Sequence, residues 1–305
     1  MQDQKLGHFQ KSWLLTKAAW NCLKLDKELV TLPFIGMGVS LAVMAAAAAL
    51  VVIAPAHTFY ISNFTGNEGE LNLTKLGIAS IIALGFVMGG IATYITAAVI
   101  HGALTRFNGE DPTIGGSLAA ARRRLGSLLA FSVFNSTIGL ILSEIINRIP
   151  YIGGVIMAWL AQAAWNVASF FAIPVIVSSS KPVTPLAATR KSFGIIRKVW
   201  GESLIVTATI TLVSMLSIIL YAFTIISVVG LFATNGMLQG VALGAVIALA
   251  FLGLLMMVIV FSVLEGIIKA AVYHYATTGQ SPVTFNERLM REAFTQKKAR
   301  KVFVH

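Results

Sequence analysis

The sequence predicts an all-α protein: a polytopic membrane helical bundle with six transmembrane helices and basic amphipathic helices at the membrane interface. Three observations carry this. Hydrophobic residues make up 57% of the 305 and charged residues only 11%, and the mean hydropathy is +0.82. Soluble domains average roughly 25% charged residues and need them to cover their surface. The apolar residues fall in runs of about 20 or more, the length of helix that crosses a hydrocarbon core. The cations collect between alternate runs rather than between all of them. The runs are rich in Gly and Ala and lack the period-two alternation of a membrane β-barrel. Helices pair every backbone group internally, as hydrocarbon requires.

Residues 1–30 are polar and of mixed charge, with no short apolar core ahead of a small-residue cleavage site, so no cleaved signal peptide is expected. Spans are predicted at 32–54, 76–101, 127–147, 152–178, 203–230 and 238–264. Pro174 removes one helix hydrogen bond and frees the Phe170 carbonyl, so the fourth span is expected to kink there. Gly85 and Gly89, and further on Gly236, Gly240, Gly244 and Ala248, recur every four residues and suit close backbone packing. That pattern favours packing within one chain over homo-oligomerisation. The alanine run 45–49 likewise suggests a closely approached helix.

The charges give an orientation. Of the 23 Lys and Arg, 20 lie before the first span, between the second and third, between the fourth and fifth, or after the sixth. The other connecting loops are nearly bare. Basic loops stay cytoplasmic, and six crossings with both termini inside satisfy every cluster. The only cysteine is Cys22, so neither an intrachain disulfide nor a cysteine metal cluster is available.

Within the third basic cluster the stretch ATRKSFGIIRKVWGE has the amphipathic pattern of an interfacial helix. At 100° per residue, Ala188, Ser192, Phe193, Ile195, Ile196, Val199 and Trp200 share one arc, and Arg190, Lys191, Arg197 and Lys198 lie opposite. The apolar arc suits the acyl boundary, and the cations suit anionic headgroups. KSWLLTKAAW (11–20) aligns without gaps on KSFGIIRKVW (191–200), with Lys11, Trp13, Lys17 and Trp20 over Lys191, Phe193, Arg197 and Trp200. In the helix over 10–28, Phe9, Trp13, Thr16, Trp20 and Leu23 recur every three or four residues. A fainter copy, GSLAAARRRLGSL, precedes the middle hairpin. One membrane domain over 1–305 then reads as units 1–103, 104–180 and 181–277 with a cytoplasmic tail 278–305. Aromatic residues among cations are expected at any membrane surface, so the charge of +11 does not imply a nucleic-acid partner.

The sequence shows no chemistry of an enzyme. His101 and His274 sit near cytoplasmic helix ends, and no His-Glu-x-x-His, aspartate pair or Ser/His/acid set can be assembled. No catalytic residue, metal site or cofactor is assigned. Glu144 with Arg148, and Glu265 with Lys269, have the spacing and order of local ion pairs near the interfaces. The deeper polar groups are Asn135, Gln162 and Asn166; Asn135 and Asn166 are placed to hydrogen-bond across the third and fourth spans.

HFQKSWLLTKAAWNCLKLDKELVTLPF (8–34), with its Asp26-Lys27-Glu28-Leu29 turn and Pro33-Phe34 entry into the first span, resembles a bacterial family of six-helix integral membrane proteins of unknown function. AWNVASFFAIPVIV (164–177) and ATRKSFGIIRKVWGE resemble two later signatures of that family. The wider architecture is similar to the membrane domain attached to some glycerophosphodiester phosphodiesterases, without their catalytic domain. The resemblance implies a helical fold and a bacterial inner-membrane location, and it supplies no activity. The function expected is that of a non-enzymatic membrane scaffold or accessory protein. It would engage anionic lipid, or a protein partner on the cytoplasmic face, through Arg190, Lys191, Phe193, Arg197, Lys198 and Trp200 and their counterparts Lys11, Trp13, Lys17 and Trp20. The rival is a transporter or flippase with a polar cavity at Asn135, Gln162 and Asn166.

Overall fold

The computed structural model describes residues 8–55, 58, 60–65, 68–148, 152–198, 214–227 and 241–285. The described elements are α1 (His8–Leu25), α2 (Glu28–Ile53), β1 (Tyr60–Thr65), β2 (Glu68–Leu73), α3 (Lys75–Phe107), α4 (Ile114–Arg123), α5 (Leu125–Asn147), α6 (Ile152–Ser169), α7 (Ala172–Ser178), α8 (Pro185–Lys198), α9 (Ser214–Ser227) and α10 (Val241–Thr278). The fold is the expected helical bundle. Five stretches, in α2, α3, α5, α6 with α7, and α10, are long and apolar enough to cross a membrane, and α9 is a shorter apolar helix. Half of the predicted fifth span (203–213 and 228–230), and residues 238–240 of the sixth, lie outside the described residues. Among the described residues the one non-helical element is the antiparallel hairpin of β1 and β2, which pairs Tyr60 with Leu73 and Thr65 with Glu68.

The bundle divides into two halves along its length. At one end the apolar side chains are buried: Leu15 and Ala19 of α1, Leu29 and Leu32 of α2, Ile100 and Phe107 of α3, Leu128 of α5, Val175 of α7, Ile196 of α8, and Ile267 of α10. They form one continuous core. At the other end apolar side chains face outward, among them Val39, Met44 and Val51 of α2, Ile78 and Val87 of α3, and Phe251 and Met256 of α10. A core accessible to water would not leave such a belt bare; a lipid solvent accepts it. The exposed cations Lys17, Lys24, Arg122, Arg123, Arg190, Lys191 and Arg197 all belong to the end with the buried core, which is here the basic end.

Helix length explains the division. α3 has 33 residues and α10 has 38, about 50 and 57 Å at 1.5 Å per residue. A bilayer core takes about 20 residues. The hydropathy pattern ends the second and sixth spans at 101 and 264, because polar residues enter there. The helices nevertheless run on to Phe107 and Thr278, where the surplus turns are covered by protein. α3 and α10 are parallel over this surplus. A Cβ on Gly266 would come within 2.8 Å of Val99, and the rings of Phe107 and His274 stand 6.1 Å apart edge to face. α2 returns antiparallel along α3, with Gly102 against Leu29 and Gly36 against Ile95, both closer than any side chain would permit. The predicted small-residue pair divides here: Gly89 packs on Ser132 and Ser136, while Gly85 faces open space. The alanine run is a correction: Ala45, Ala46, Ala48 and Ala49 are exposed. Its small side chains serve no close helix contact there.

The short helices α1, α4 and α8 supply the cover. On α1 the buried stripe is Leu15, Ala19, Cys22 and Leu23, rotated away from the aromatic stripe that the sequence pattern favours. Trp20 is 40% exposed and stacks under the Lys24 ammonium. Side chains outrank aromatic spacing here because the layer is closed by slim residues against α10. On α4, Ser117 meets Gly102, and the Leu118 carbonyl accepts from the Tyr94 hydroxyl at 2.9 Å. The aligned positions of α1 and α8 share their environments: Leu15 and Ile195 are buried, and Lys17 and Arg197 are exposed.

Two polar links lock the layer. The fourth span breaks into α6 and α7 at Phe170–Phe171, at the carbonyl that Pro174 frees. The Phe171 N–H, lost to the helix ladder, donates to Ser192 Oγ at 2.9 Å, and Ser192 is fully buried. The second link is ionic. Asp26, 4% exposed at its side chain, takes both Nε and Nη2 of Arg106, and Nη2 also reaches Asp111 at 2.5 Å. The pair ties the turn between α1 and α2 to the end of α3. At the helix end of α10, Gly279 adopts φ +72 and closes the last turn with its N–H on the Tyr275 carbonyl, a conformation that costs glycine least. Phe285 then folds back on Phe107, with ring centroids 5.7 Å apart.

Three outcomes test this layer. Ser192→Ala strands the buried Phe171 N–H and is expected to cost about 1–3 kcal/mol in unfolding of the detergent-solubilised chain, whereas Gly194→Ala, with open space around it, is neutral or stabilising by roughly 0.5–1 kcal/mol. Arg106→Met leaves the Asp26 carboxylate buried and unpaired, at an expected cost of about 3 kcal/mol or more; the same denaturation series reads it. Burial, with the Asp26 charge second, pushes the Cys22 thiol up to about 11. Since only the thiolate is nucleophilic, maleimide labelling of the folded protein is expected to be slow at pH 7. It should stay slow as pH rises toward 9 and become complete on denaturation.

Candidate functional site

Two places at the basic end carry polar groups in quantity: the outer face of α8 and a cleft between α3, α7 and α10. On α8 the buried face is Ala188, Thr189, Ser192, Ile195 and Ile196. Ala188, Ser192, Ile195 and Ile196 belong to the predicted apolar arc, and they are covered by protein, against α6, α7 and α10, rather than left for acyl chains; Val199, also of that arc, lies outside the described residues. Phe193, on the edge of the arc, is 44% exposed and lies under the Arg197 guanidinium, 5.9 Å from its centroid. Arg190, Lys191 and Arg197 are exposed. The backbone of Lys198 ends the helix, and its side chain and Trp200 lie outside the described residues, as do the side chains of Lys11 and Trp13. Lys17 and Trp20 are both exposed on α1. α1 packs mainly on α10, and α8 mainly on α6 and α7 with a smaller contact to α10, so the two aligned stretches share α10 but differ in their main neighbours.

The direction of α8 matters. It starts at Pro185, below the end of α7, and Ser192 already reaches back to Phe171. Its C-terminal turn, with Arg197, is therefore the part nearest the exposed apolar belt. Lys269 sits at the same level, 2.7 Å from Glu265 and 5.2 Å over the Phe170 ring, a cation and an aromatic of the kind that marks a headgroup boundary. The other predicted local pair also forms, at the far end: Arg148 donates to Glu144 from Nε at 3.1 Å and from Nη2 at 3.0 Å.

The intramembrane amides are engaged differently from the predicted pairing. Asn135 Oδ1 accepts from Trp165 Nε1 at 2.8 Å, and Trp165 also meets Phe134 edge to face. Gln162 donates to Asn166 at 3.0 Å along one face of α6. The indole wins Asn135 because it brings a donor and ring area to the same place, whereas Asn166 has a partner one turn away on its own helix.

The cleft has a volume of about 450 Å³ and is lined by His101, Thr105 and Asn108 of α3 and its cap, by Val177 and Ser178 of α7, and by Tyr273, His274, Thr277 and Thr278 of α10. The sequence placed both histidines near helix ends but could not bring them together. Their meeting depends on α3 and α10 running parallel with Val99 beside Gly266, a pairing with no signal in either helix alone. The same holds for Asp26 and Arg106, 80 residues apart. An aspartate closing an amphipathic helix and an arginine closing a span were the only visible hints. A second cavity, about 520 Å³, is apolar and lies at the far end between Leu50 and Val51 of α2 and Ile81 and Leu84 of α3. Among the described residues no cluster of three His, Cys, Asp or Glu is placed to hold a metal ion.

No curated protein and no solved structure matches the chain. Residues 75–283, which run from the first turn of α3 past the end of α10 and include the whole cleft, match a family described as a family of unknown function. With roughly two thirds of its length so matched, the chain belongs to that family, DUF6159.

Proposed function

We propose that the protein is a non-enzymatic integral membrane protein of a bacterial cytoplasmic membrane, with its basic layer and both termini on the cytoplasmic side, where α8 engages anionic lipid headgroups. One observation supports this most: α8 buries apolar side chains on the bundle and leaves Arg190, Lys191 and Arg197 exposed, with the turn that carries Arg197 nearest the lipid-facing belt. With its apolar arc already covered, the helix binds the membrane surface by charge rather than by insertion. Each cation near an anionic surface contributes about 1 kcal/mol, and the effect fades within a Debye length, about 8 Å at physiological salt. The concentration of cations at one end is the pattern of cytoplasmic loops. Transport through α5 and α6 has less to support it, because Asn135 pairs with Trp165 and Gln162 with Asn166.

The test uses the full chain in nanodiscs of mixed phosphatidylglycerol and phosphatidylcholine. Spin-labelled lipids report which headgroup the protein holds at its perimeter. The variant R190Q/K191Q/R197Q/K198Q is expected to lower the preference for phosphatidylglycerol by about threefold or more at low salt. In the wild-type protein, high salt should lower it similarly. A preference unchanged by both would sink the lipid role.

A further inference from the structure

The cleft at the basic end is a polar concavity in a chain with few charged residues, and its chemistry is one-sided. At about 450 Å³ it falls within the range of small-molecule sites, roughly 300–1,000 Å³. None of its lining residues is an Asp or Glu, so it offers a cation no charge. Its hydroxyls are already oriented. Thr105, Thr277 and Thr278 donate their protons to the carbonyls of His101, Tyr273 and His274, at 3.0, 2.8 and 2.7 Å. The Thr278 oxygen also accepts from the Gln280 N–H at 3.1 Å, so Thr105 and Thr277 are the threonines whose oxygens turn lone pairs, not a proton, to the cleft.

The donors come from elsewhere. His101 and His274 each carry a ring N–H, and Asn108, at the C-cap of α3, carries an amide. Arg123, exposed on α4, acts on His101 through space, with Glu110 acting in the opposite sense. Arg106 is not available, since Asp26 and Asp111 occupy it. The cleft thus presents N–H donors from one pair of helix ends, hydroxyl acceptors beside them, and a cationic approach from a chain of net charge +11. Donors and positive field suit an anion, while ordered acceptors suit a ligand that also brings hydroxyl protons.

We infer that the cleft formed by His101, Asn108 and His274 with Thr105, Thr277 and Thr278 binds a small phosphate ester bearing free hydroxyl groups. Such a group is carried either by a soluble phosphomonoester or by the headgroup of a phospholipid that leans into the layer from the membrane edge. The site is separate from the outer face of α8, and the two stand or fall independently.

The experiment is a ³¹P NMR titration of the full chain in an uncharged maltoside detergent, with ribose 5-phosphate as the soluble probe and dihexanoyl phosphatidylglycerol as the headgroup probe. Saturable broadening of at least one probe is expected, with a Kd on the order of 0.1–1 mM. Binding of the first assigns a soluble ligand, and binding of the second alone assigns a lipid headgroup. H101A/H274A is expected to weaken binding at least about tenfold, close to 1.4 kcal/mol. T278W, an exposed position on the cleft wall, should block it by filling the space without touching the core. R190Q/K191Q/R197Q should leave it intact. The inference is overturned if neither probe binds saturably up to about 20 mM. It is equally overturned if the folded T278W protein binds as well as wild type, or if the α8 variant loses binding in parallel.

Discussion

A hydrocarbon core takes about 20 residues of helix, and α3 and α10 run to 33 and 38. The surplus cannot stand in water as it is. Residues 97–100 and 103 of α3, and 263, 267, 268, 270 and 271 of α10, are apolar and fully or almost fully buried. Every other feature of the basic end answers that constraint. α1, α4 and α8 are short because they need only wrap the surplus. They are amphipathic because one face meets α3, α7 or α10 and the other meets water. Glycine stands at 36, 102 and 266 because the two long helices and their cover must approach to within a side chain's width.

Such a layer needs polar fasteners, since interhelical contact within it is made outside the reach of lipid pressure and the chain ends must be pinned. Ser192 and Asp26 are the fasteners. Each satisfies a group that the fold itself exposes. The break between α6 and α7 releases the Phe171 N–H, and α8 arrives with one hydroxyl at 2.9 Å. The turn into α2 buries Asp26, and the last turn of α3 delivers Arg106 to it. A lone carboxylate in that place would be costly. Replacing both partners by apolar groups would be far less so, and the gain from the pair is the fixed geometry between α1, α2 and α3.

What was legible from sequence follows the range of the forces. Hydropathy is local, so the spans in α2, α3 and α5 start within a few residues of their predicted places. Periodicity is local too: Ala188, Ser192, Ile195 and Ile196 of the predicted arc of α8 face inward, while Phe193 on its edge is 44% exposed. What covers them is not legible, because an amphipathic arc has the same pattern whether its partner is a lipid or another helix. The ends of α3 and α10 were hidden for a related reason: a hydropathy average falls when His101, Arg106, Lys269 or His274 enters, although the helix does not stop. On α1 the spacing of three or four picks out a stripe that includes Trp20, which is exposed beside Lys24, while the slim residues Ala19 and Cys22 take the inside. The cleft was the least legible element, since it exists only through the parallel register of two helices more than 150 residues apart in the chain.

The two halves also divide the chemistry. In the lipid-facing half a polar group needs a partner within the protein, and Trp165 pairs with Asn135 across α5 and α6 and Gln162 with Asn166 along α6. In the basic layer, water is at hand, so a threonine can spend its proton on the backbone and keep lone pairs for something else, and a histidine can sit half-buried without an obligatory partner in the membrane. Selectivity for a polar or anionic molecule is therefore physically cheap in the layer and costly in the spans. The surplus length of α3 and α10 is what carries polar side chains beyond the hydrocarbon while keeping them on rigid helices, and the layer of α1, α4 and α8 holds those helix ends in the register that makes a cleft of them.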